Sequence, residues 1–273
     1  MIRLITLQNI LNYIEDNLEE ELSVTVLVQY SGYGRRYLQL IFKKHIGVTI
    51  WKYIKHRRIT RTAYLIRLTS LPIIDIAIRL RFDSQQTFTR EFKKVVGCTP
   101  LTYRNNIHWD FVSLMSSRGV EYTHPAPLDI CFIDSGNVYG YKFSYEEPLP
   151  KKEFANKFRW RKINQIIKNN KTSIWLLTSF LAGEKSYESV KIVTFIGTET
   201  ERPGTDICAY SEGSYAHARF EGGAEDYSRF INEIYEVTLP YYKLKRNHGV
   251  DIEIIDKCGE NYIINYYMPV IIS

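Results

Sequence analysis

Hydrophobic residues in the first hundred positions recur at the three-to-four-residue spacing of amphipathic helices. Ser23 is placed to cap the second of these helices, which Gly32 ends. Later helices are predicted at about 35–45, 51–68, 72–80 and 84–94. The opening helix is the clearest, with apolar positions at Leu7, Ile10, Leu11, Ile14 and Leu18. No strand pattern occurs before about residue 120, so an all-α N-terminal domain is predicted.

One part of this helical pattern occurs twice in the sequence, with the two copies fifty positions apart. Each copy predicts a helix, a short break, and a second helix that carries basic and amide side chains, which is the pattern of a helix-turn-helix. Upstream of the break the offset is 49, so the second copy has one additional loop residue. The repeated residues are Phe42-Lys43-Lys44, Gly47, Thr49 and Tyr53 in the first copy, and Phe92-Lys93-Lys94, Gly97, Thr99 and Tyr103 in the second. We call the two copies the first head (about 23–45) and the second head (about 72–94), and residues 51–68 are predicted to form one helix between them.

The pattern changes after about residue 120. Short segments of alternating polarity predict strands at 130–133, 138–145, 190–196, 215–220, 250–255 and 261–272, and two amphipathic stretches predict helices at 152–168 and 224–239. The order strand–helix–strand–strand occurs twice, which predicts an α+β domain with a pseudo-twofold repeat. The tetrapeptide His124-Pro125-Ala126-Pro127 is typical of a linker or domain edge. The predicted organisation is multidomain: a DNA-binding domain at 1–108, a linker at 109–121, and a second domain at 122–273.

Charge separates the same two parts. The chain has a net charge of +6. Residues 1–108 contain 17 Lys and Arg against 8 Asp and Glu, a net +9, while residues 109–273 contain 19 against 22, a net −3. A basic part joined to a slightly acidic part indicates one domain that binds a polyanion and one that does something else.

The composition also argues against several classes of protein. The four cysteines, at positions 98, 131, 208 and 258, have no paired spacing, so neither disulfides nor a metal site is predicted, and no cofactor is expected. Acidic residues follow the N-terminal apolar stretch closely, which does not resemble a signal peptide. The longest uncharged apolar run, 172–183, is shorter than the roughly 20 residues of a membrane span. We expect a cytoplasmic protein without membrane contact.

The candidate base readers lie on the polar face of the second helix in each head. They are Arg35, Arg36 and Gln39 in the first head, and Gln85, Gln86, Thr87 and Arg90 in the second. Arg pairs bidentately with guanine and Gln with adenine, each with about 1–3 kcal/mol of discrimination. A solvated helix face would be polar too, but its repetition within a domain of charge +9 favours DNA reading.

Nearby basic residues are candidates for phosphate contacts, which add salt-dependent affinity without sequence information. Each of them, taken alone, also fits an ordinary surface charge. They are Lys43, Lys44, Arg57, Arg58, Arg61, Lys93 and Lys94. Two heads on one connecting helix would enter successive major-groove segments, about 34 Å apart. A monomer would then cover an asymmetric site, and heads set closer together would require bent DNA.

The second domain offers a candidate ligand site. It contains 14 of the chain's 21 tyrosines together with Trp160 and Trp175, which fits either a pocket for a flat or amphiphilic ligand or a sheet rich in strand-forming residues. Glu253 shares one face of a predicted strand with Asp251 and Ile255. If this carboxylate faces inward, it requires a cation or a hydrogen-bond donor as its partner. On an exposed edge strand it would be an ordinary surface charge.

These motifs resemble the AraC/XylS family of bacterial transcription regulators, and within it the Rob-like subgroup that carries a GyrI-like second domain. The strongest match is Arg81-Phe82-Asp83-Ser84-Gln85-Gln86-Thr87-Phe88-Thr89-Arg90 with Phe92-Lys93-Lys94. Weaker anchors for the GyrI-like part are Gly213-Ser214-Tyr215 and Asp251-Ile252-Glu253. The order, with the DNA reader first and the GyrI-like domain second, is that of the subgroup.

The resemblance implies a monomeric activator that recruits RNA polymerase to promoters of efflux, antibiotic-resistance and oxidative-stress genes. It also implies that the second domain responds to a small hydrophobic or amphipathic effector. Glu253 matches the position of a buried glutamate that faces the ligand in GyrI-like domains, and Tyr215 and Trp175 are further candidate ligand residues. The first head departs from the subgroup, which has Trp where this chain has Arg36 and Arg where it has Leu40. Altered specificity is therefore predicted in one half of the DNA site and retained specificity in the other.

Two other classes of function remain as alternatives. Some GyrI-like proteins hydrolyse small electrophiles, and Glu253 with Tyr215 would then serve as base and orienting group. No nucleophile–base pair is apparent, however, so no catalytic residue is assigned and an enzyme is not expected. An architectural DNA-binding protein with little sequence preference is the other alternative, and the amide and arginine readers argue against it.

Overall fold

The computed structural model of the chain describes residues 2–117, 125–149, 156–168 and 172–272. The predicted all-α and α+β parts are both present. Seven helices precede the first strand: α1 Ile2–Asp16, α2 Val24–Ser31, α3 Arg35–Ile46, α4 Ile50–Leu68, α5 Ile73–Arg79, α6 Gln85–Val96 and α7 Pro100–Asn105. The first head consists of α2 and α3, the second head of α5 and α6, and α4 is the single connecting helix that the sequence predicts.

Several of the residues that are repeated in the sequence lie at the ends of helices. Gly47 and Gly97 end α3 and α6 in the left-handed region, at φ of 80° and 89°, where glycine has no steric penalty. Two residues later, the hydroxyls of Thr49 and Thr99 accept hydrogen bonds from backbone amides at the start of α4 and α7. The repeated aromatics fill the core, since Phe42, Phe92, Tyr53 and Tyr103 are all buried.

The turn of each head also takes the left-handed conformation. Gly32 has φ of 69° in the first head, and Arg81, its equivalent at the 49-residue offset, has φ of 61° in the second. A residue with a Cβ is disfavoured there. Arg81 has compensating contacts, because its Nε donates to the carbonyl oxygen of Glu19 at 2.8 Å.

Ten strands and the remaining helices form the second part of the described chain. The strands are β1 Trp109–Asp110, β2 Asp129–Ile133, β3 Gly136–Pro148, β4 Ile174–Ala182, β5 Ser189–Thr198, β6 Asp206–Tyr210, β7 Gly213–Gly222, β8 Lys245–Arg246, β9 Asp251–Cys258 and β10 Asn261–Ile271. The helices are α8 Lys157–Lys168, α9 Ala224–Glu233, a π-helical turn Ile234–Thr238, and α10 Leu239–Tyr242. Sequence patterning missed α7 and the strands β1, β4, β6 and β8. Strand β4 is an uncharged, mostly apolar run without alternation. The start of the predicted helix, at 152–155, lies outside the described residues.

The predicted pseudo-twofold repeat is visible in the strand pairing. One half contains β3, β4 and β5, the other contains β7, β9 and β10, and antiparallel β4 and β9 join the halves. Each half also receives a strand from the other, because β2 pairs with β7 and β6 pairs with β3. Helices α8 and α9 pack on one face of this sheet, where Trp160, Ile163 and Tyr227 contact Ile174, Leu176 and Ile255.

The predicted linker at 109–121 is wrong for its first part, which is packed against both domains. Trp109 and Asp110 form β1 and pair with β8 of the second domain. Phe111 and Leu114 are buried in a core that continues from the helical domain into the second domain, reaching Ile234 and Met268. Residues 109–115 contain five apolar or aromatic residues, at positions 109, 111, 112, 114 and 115, and three of them are buried, which explains why this segment is packed and not a free linker. Residues 118–124, including His124, lie outside the described residues.

Candidate DNA interface and ligand cavity

Each head presents an exposed polar face on its second helix. Arg35, Arg36 and Gln39 are exposed on α3, and Gln85, Gln86 and Arg90 are exposed on α6, while the apolar faces bury Leu38, Phe42, Phe88 and Phe92. Thr87 is half-buried, and its hydroxyl and amide both contact the hydroxyl of the N-cap Ser84. The exposed candidate base readers are therefore accessible to a groove of DNA, whereas Thr87 takes part in the cap of α6.

The two faces differ at equivalent positions. At the fifty-residue offset, Arg36 corresponds to Gln86 and Leu40 to Arg90. Leu40 is 62% exposed although it stands in a row of polar residues. An apolar side chain there cannot donate a hydrogen bond to a base, but it can contact the methyl group of thymine.

The lysines predicted to contact phosphate are exposed. Lys43 and Lys44 lie in the last turn of α3, and Lys93 and Lys94 in the last turn of α6. No structural role in packing competes with a phosphate contact at these four positions in the described chain.

Arg57 was predicted to contact phosphate, and the structure contradicts this because the residue is buried. The side chain is 2% exposed, and its Nε and Nη2 donate to the carboxylate of Glu15 at 2.8 Å each. Its Nη1 donates to the carbonyl oxygen of Met115, and Tyr53 donates to the same carboxylate at 2.7 Å. Burial alone would lower the pKa of Arg57, but the Glu15 carboxylate outweighs burial and raises it. Arg57 is a structural cation that joins α1, α4 and the segment after β1.

Arg58 and Arg61 also have intramolecular partners. Arg58 donates to the backbone carbonyl oxygens of Leu18 and Glu20, at 2.9 and 2.7 Å. Arg61 faces the second domain, where its Nη1 lies 3.5 Å from the Glu236 carboxylate of the π-helical turn. On the same face of α4, the Tyr64 hydroxyl donates to the carbonyl oxygen of Tyr235. Arg58 thus joins α4 to the segment after α1, and Arg61 joins α4 to the second domain, so neither arginine is placed as the prediction required.

Glu253 is buried in the second domain, which is the inward-facing one of the two alternatives and the one that the family resemblance implied, but it already has partners. It is 3% exposed, forms an ion pair with Arg159 of α8, and accepts a hydrogen bond from the Tyr227 hydroxyl of α9 at 2.5 Å. Burial, and after it the Glu253 charge, raises the pKa of Tyr227 well above its usual value, so this phenol stays protonated as a donor. Sequence reasoning missed Arg159, because an arginine on an otherwise basic helix gives no sign that it points inward.

Trp175 and Tyr215 lie on the opposite face of the sheet from Glu253. Trp175 pairs with Ile254, one position along β9, and stacks on Tyr210 with ring centroids 5.6 Å apart. Tyr215 is buried in the same cluster, and its hydroxyl donates to the carbonyl oxygen of Ser211 at 3.1 Å. Their assignment to one site with Glu253 is wrong because neighbouring strand positions point to opposite faces.

Two cavities open on the Glu253 face of the sheet. The smaller, about 40 Å³, lies beside Glu253, Arg159 and Tyr227. The larger, about 720 Å³, lies between the domains, with walls from α1 and α4 on one side and from β4, β5, α9 and the π-helical turn on the other. The small cavity and the large one share Phe180, Ile192 and Ile231 in their walls.

The described part of the chain contains no group of three or more His, Cys, Asp and Glu side chains arranged to hold a metal ion. None of its helices combines the length and apolar character needed to cross a membrane.

The tandem heads and the repeated sheet define a two-domain regulator that binds DNA. Residues 27–106 match a helix-turn-helix domain family, and residues 128–271 match the GyrI-like small molecule binding domain family. The chain belongs to the AraC-type transcription regulators that carry a GyrI-like domain.

Relatives match over both domains. The F1 operon positive regulatory protein of Yersinia pestis is 35% identical over 274 residues, covering 99% of this chain and 89% of the relative. The transcriptional regulator Rob of Salmonella typhimurium is 30% identical over 259 residues, covering 90% of this chain and 89% of the relative. Among solved structures, an AraC-type regulator from Chromobacterium violaceum is 30% identical in sequence over the matched region. The match covers 36% of this chain and 88% of the chain from C. violaceum, with a TM-score of 0.35.

Proposed function

We propose that this regulator binds an asymmetric promoter site as a monomer, through α3 and α6, and activates transcription there by recruiting RNA polymerase. The observation that carries the proposal is the exposed recognition face of each head, repeated on a single chain around one continuous helix of 19 residues. Two unlike reading faces on one chain match an asymmetric site, because a symmetric dimer would require a palindrome.

Activation is supported by the name of one relative, the F1 operon positive regulatory protein. The Rob-like resemblance supports target genes for efflux, antibiotic resistance and oxidative stress. The GyrI-like domain supports modulation by a small hydrophobic or amphipathic effector. The relatives that match over both domains are named as regulators, and the buried ion pair between Glu253 and Arg159 engages the carboxylate that a hydrolase would need as a free base.

The first head should read bases that differ from those read in Rob-type sites. Arg36 favours guanine, and the exposed Leu40 favours the methyl group of thymine. The second head keeps Gln85, Gln86 and Arg90, so its half-site should be retained.

Selection of binding sites from random duplexes, at about 150 mM salt, tests the proposal with the purified full-length protein. We expect an asymmetric site of about 20 base pairs whose halves lie one helical turn apart. Mass determination of the complex should give one chain per duplex. Enrichment of nothing beyond AT-rich or bendable DNA would instead favour an architectural protein.

The same site allows a chemical test of Leu40. Replacing each thymine of the first half-site by uracil removes a single methyl group, worth about 0.8 kcal/mol or roughly fourfold in affinity when fully buried. We expect this loss at one position for the natural protein and no loss for Leu40→Ala. Equal losses in both proteins would show that Leu40 does not read the methyl group, and uracil in the second half-site is the matched control.

A further inference from the structure

The carboxylate that the family pattern assigns to a ligand already holds an internal cation. The Arg159 guanidinium forms an ion pair with Glu253, which is 3% exposed, and the Tyr227 hydroxyl donates to the same carboxylate. The adjoining cavity of about 40 Å³ has room for a few water molecules, but not for an organic ligand of ordinary size. A cationic ligand would have to displace the buried Arg159 from the Glu253 carboxylate, at considerable cost.

The cavity between the domains has the dimensions that the Glu253 site lacks. Its volume of about 720 Å³ lies in the range of small-molecule sites. The apolar walls come from both domains: Tyr64 and Leu68 belong to α4, Trp109 to β1, Phe180 and Val190 to the sheet, and Val237 to the π-helical turn. A ligand held there would contact the helix that connects the two heads.

Acidic side chains outnumber basic ones around this cavity. Glu15 and Glu236 are engaged by Arg57 and Arg61. Glu233 is different: it is half-buried at the end of α9, and among the described residues its carboxylate has neither a hydrogen bond nor an ion pair. Burial raises the pKa of Glu233, which reflects the absence of a compensating charge.

We propose that the effector of this regulator is a hydrophobic monocation that binds in the cavity between the domains, with its apolar body between α4 and the sheet and its charge beside Glu233. Its regulatory consequence rests on the proposed function. Because the ligand would contact Leu68 of α4 as well as Val237 of the second domain, its binding would be coupled to the placement of the heads.

Isothermal titration of the full-length protein, without DNA, tests the site with three probes that share an eight-carbon chain: octyltrimethylammonium, octanol and octanoate. We expect the cation to bind at least tenfold more tightly than the other two. Glu233→Gln, which keeps the size of the side chain, should remove this preference and leave octanol unaffected. Glu253→Gln should leave the preference in place. The opposite result, with the preference lost in Glu253→Gln and kept in Glu233→Gln, would overturn the proposal.

Two substitutions that fill the cavity test whether both domains contribute to it. Leu68→Trp on the DNA-binding domain and Val237→Trp on the second domain should each abolish binding of the cation. Leu181→Trp is the matched control, since Leu181 is 53% exposed and points away from the cavity on β4. Loss in Val237→Trp alone would place the ligand within the second domain and overturn the shared site. If either cavity-filling variant does not fold, the Glu233→Gln titration still decides whether the charge of the ligand lies beside Glu233.

The regulatory part has a separate readout. Affinity for the selected DNA site is measured with and without saturating octyltrimethylammonium. Coupling requires that the fold-change in DNA affinity equal the fold-change in cation affinity caused by DNA. A cation that binds as described without changing DNA affinity would retain the site and refute effector modulation.

Discussion

Replacing Arg57 by Met should destabilise the protein strongly while leaving its phosphate contacts intact. The substitution leaves the Glu15 carboxylate without its bidentate partner and removes one donor from the Met115 carbonyl oxygen. Breaking a fully buried ion pair costs about 3–5 kcal/mol. Since the Glu15 side chain is 20% exposed and keeps its hydrogen bond from Tyr53, we expect a value near the lower limit, about 3 kcal/mol.

The thermal shift follows from the size of the cooperative unit. The buried core runs through both domains, so the larger-domain scaling of about 2–4 °C per kcal/mol applies and predicts a decrease in Tm of about 6–12 °C. The assay is circular dichroism of the full chain during heating, for Arg57→Met and, as a matched control, Lys43→Gln. The exposed Lys43 should change Tm by no more than about 1 °C.

The same two variants are then compared in DNA binding between 50 and 200 mM salt. Each phosphate contact contributes about 0.9 to the slope of log affinity against log salt concentration. Lys43→Gln should lower the magnitude of that slope by about this amount, and Arg57→Met should leave it unchanged. If Arg57→Met lowers the slope and keeps the natural Tm, the buried-cation interpretation is refuted and Arg57 contacts phosphate.

Three further perturbations test local features of the fold. Ser84→Ala removes the side-chain cap of α6, whose hydroxyl accepts from the Thr87 amide at 3.1 Å, and should cost about 1 kcal/mol in denaturant unfolding; no change would mean that the cap is dispensable. Gly197→Ala places a Cβ against the backbone of Tyr139 and should unfold the sheet, as judged by near-ultraviolet circular dichroism, whereas Gly34→Ala meets nothing within 4 Å and should be tolerated. The pKa of His56 is lowered by burial and by two neighbouring lysines. The unfolded chain therefore takes up a proton first as the pH falls below about 6.5, and Tm should decrease between pH 7.5 and 5.5 by less in His56→Gln than in the natural protein.

Much of the helical domain could be predicted because its signals are local. Caps, left-handed glycines and the helical period occur at fixed offsets, and the second copy supplies an independent check on the first. The pseudo-twofold sheet was predicted because the order strand–helix–strand–strand occurs twice in the sequence. β4 escaped prediction because it is buried on both faces and lacks the alternation that marks a half-exposed strand.

The site was harder to predict, because partners come from distant parts of the sequence. Arg57 and Lys43 look alike in the sequence, and only the approach of Glu15, 42 positions away, decides that one is buried. Arg159 and Glu253 are 94 positions apart, so their pairing has no local signature either. Whether Trp175 and Tyr215 share a face of the sheet with Glu253 depends on how their strands are aligned with β9 and β10. The sequence does not specify that alignment.

The continuity of α4 has a consequence for how this protein can vary. Each residue added to a helix rotates everything after it by about 100° and advances it by 1.5 Å. One insertion in α4 would turn the second head away from the DNA face that the first head uses, and would also carry Arg61 and Tyr64 out of phase with the π-helical turn. Helix α4 should accept many substitutions on its exposed positions but no change of length, so diversification of its targets has to occur by substitution on α3 and α6.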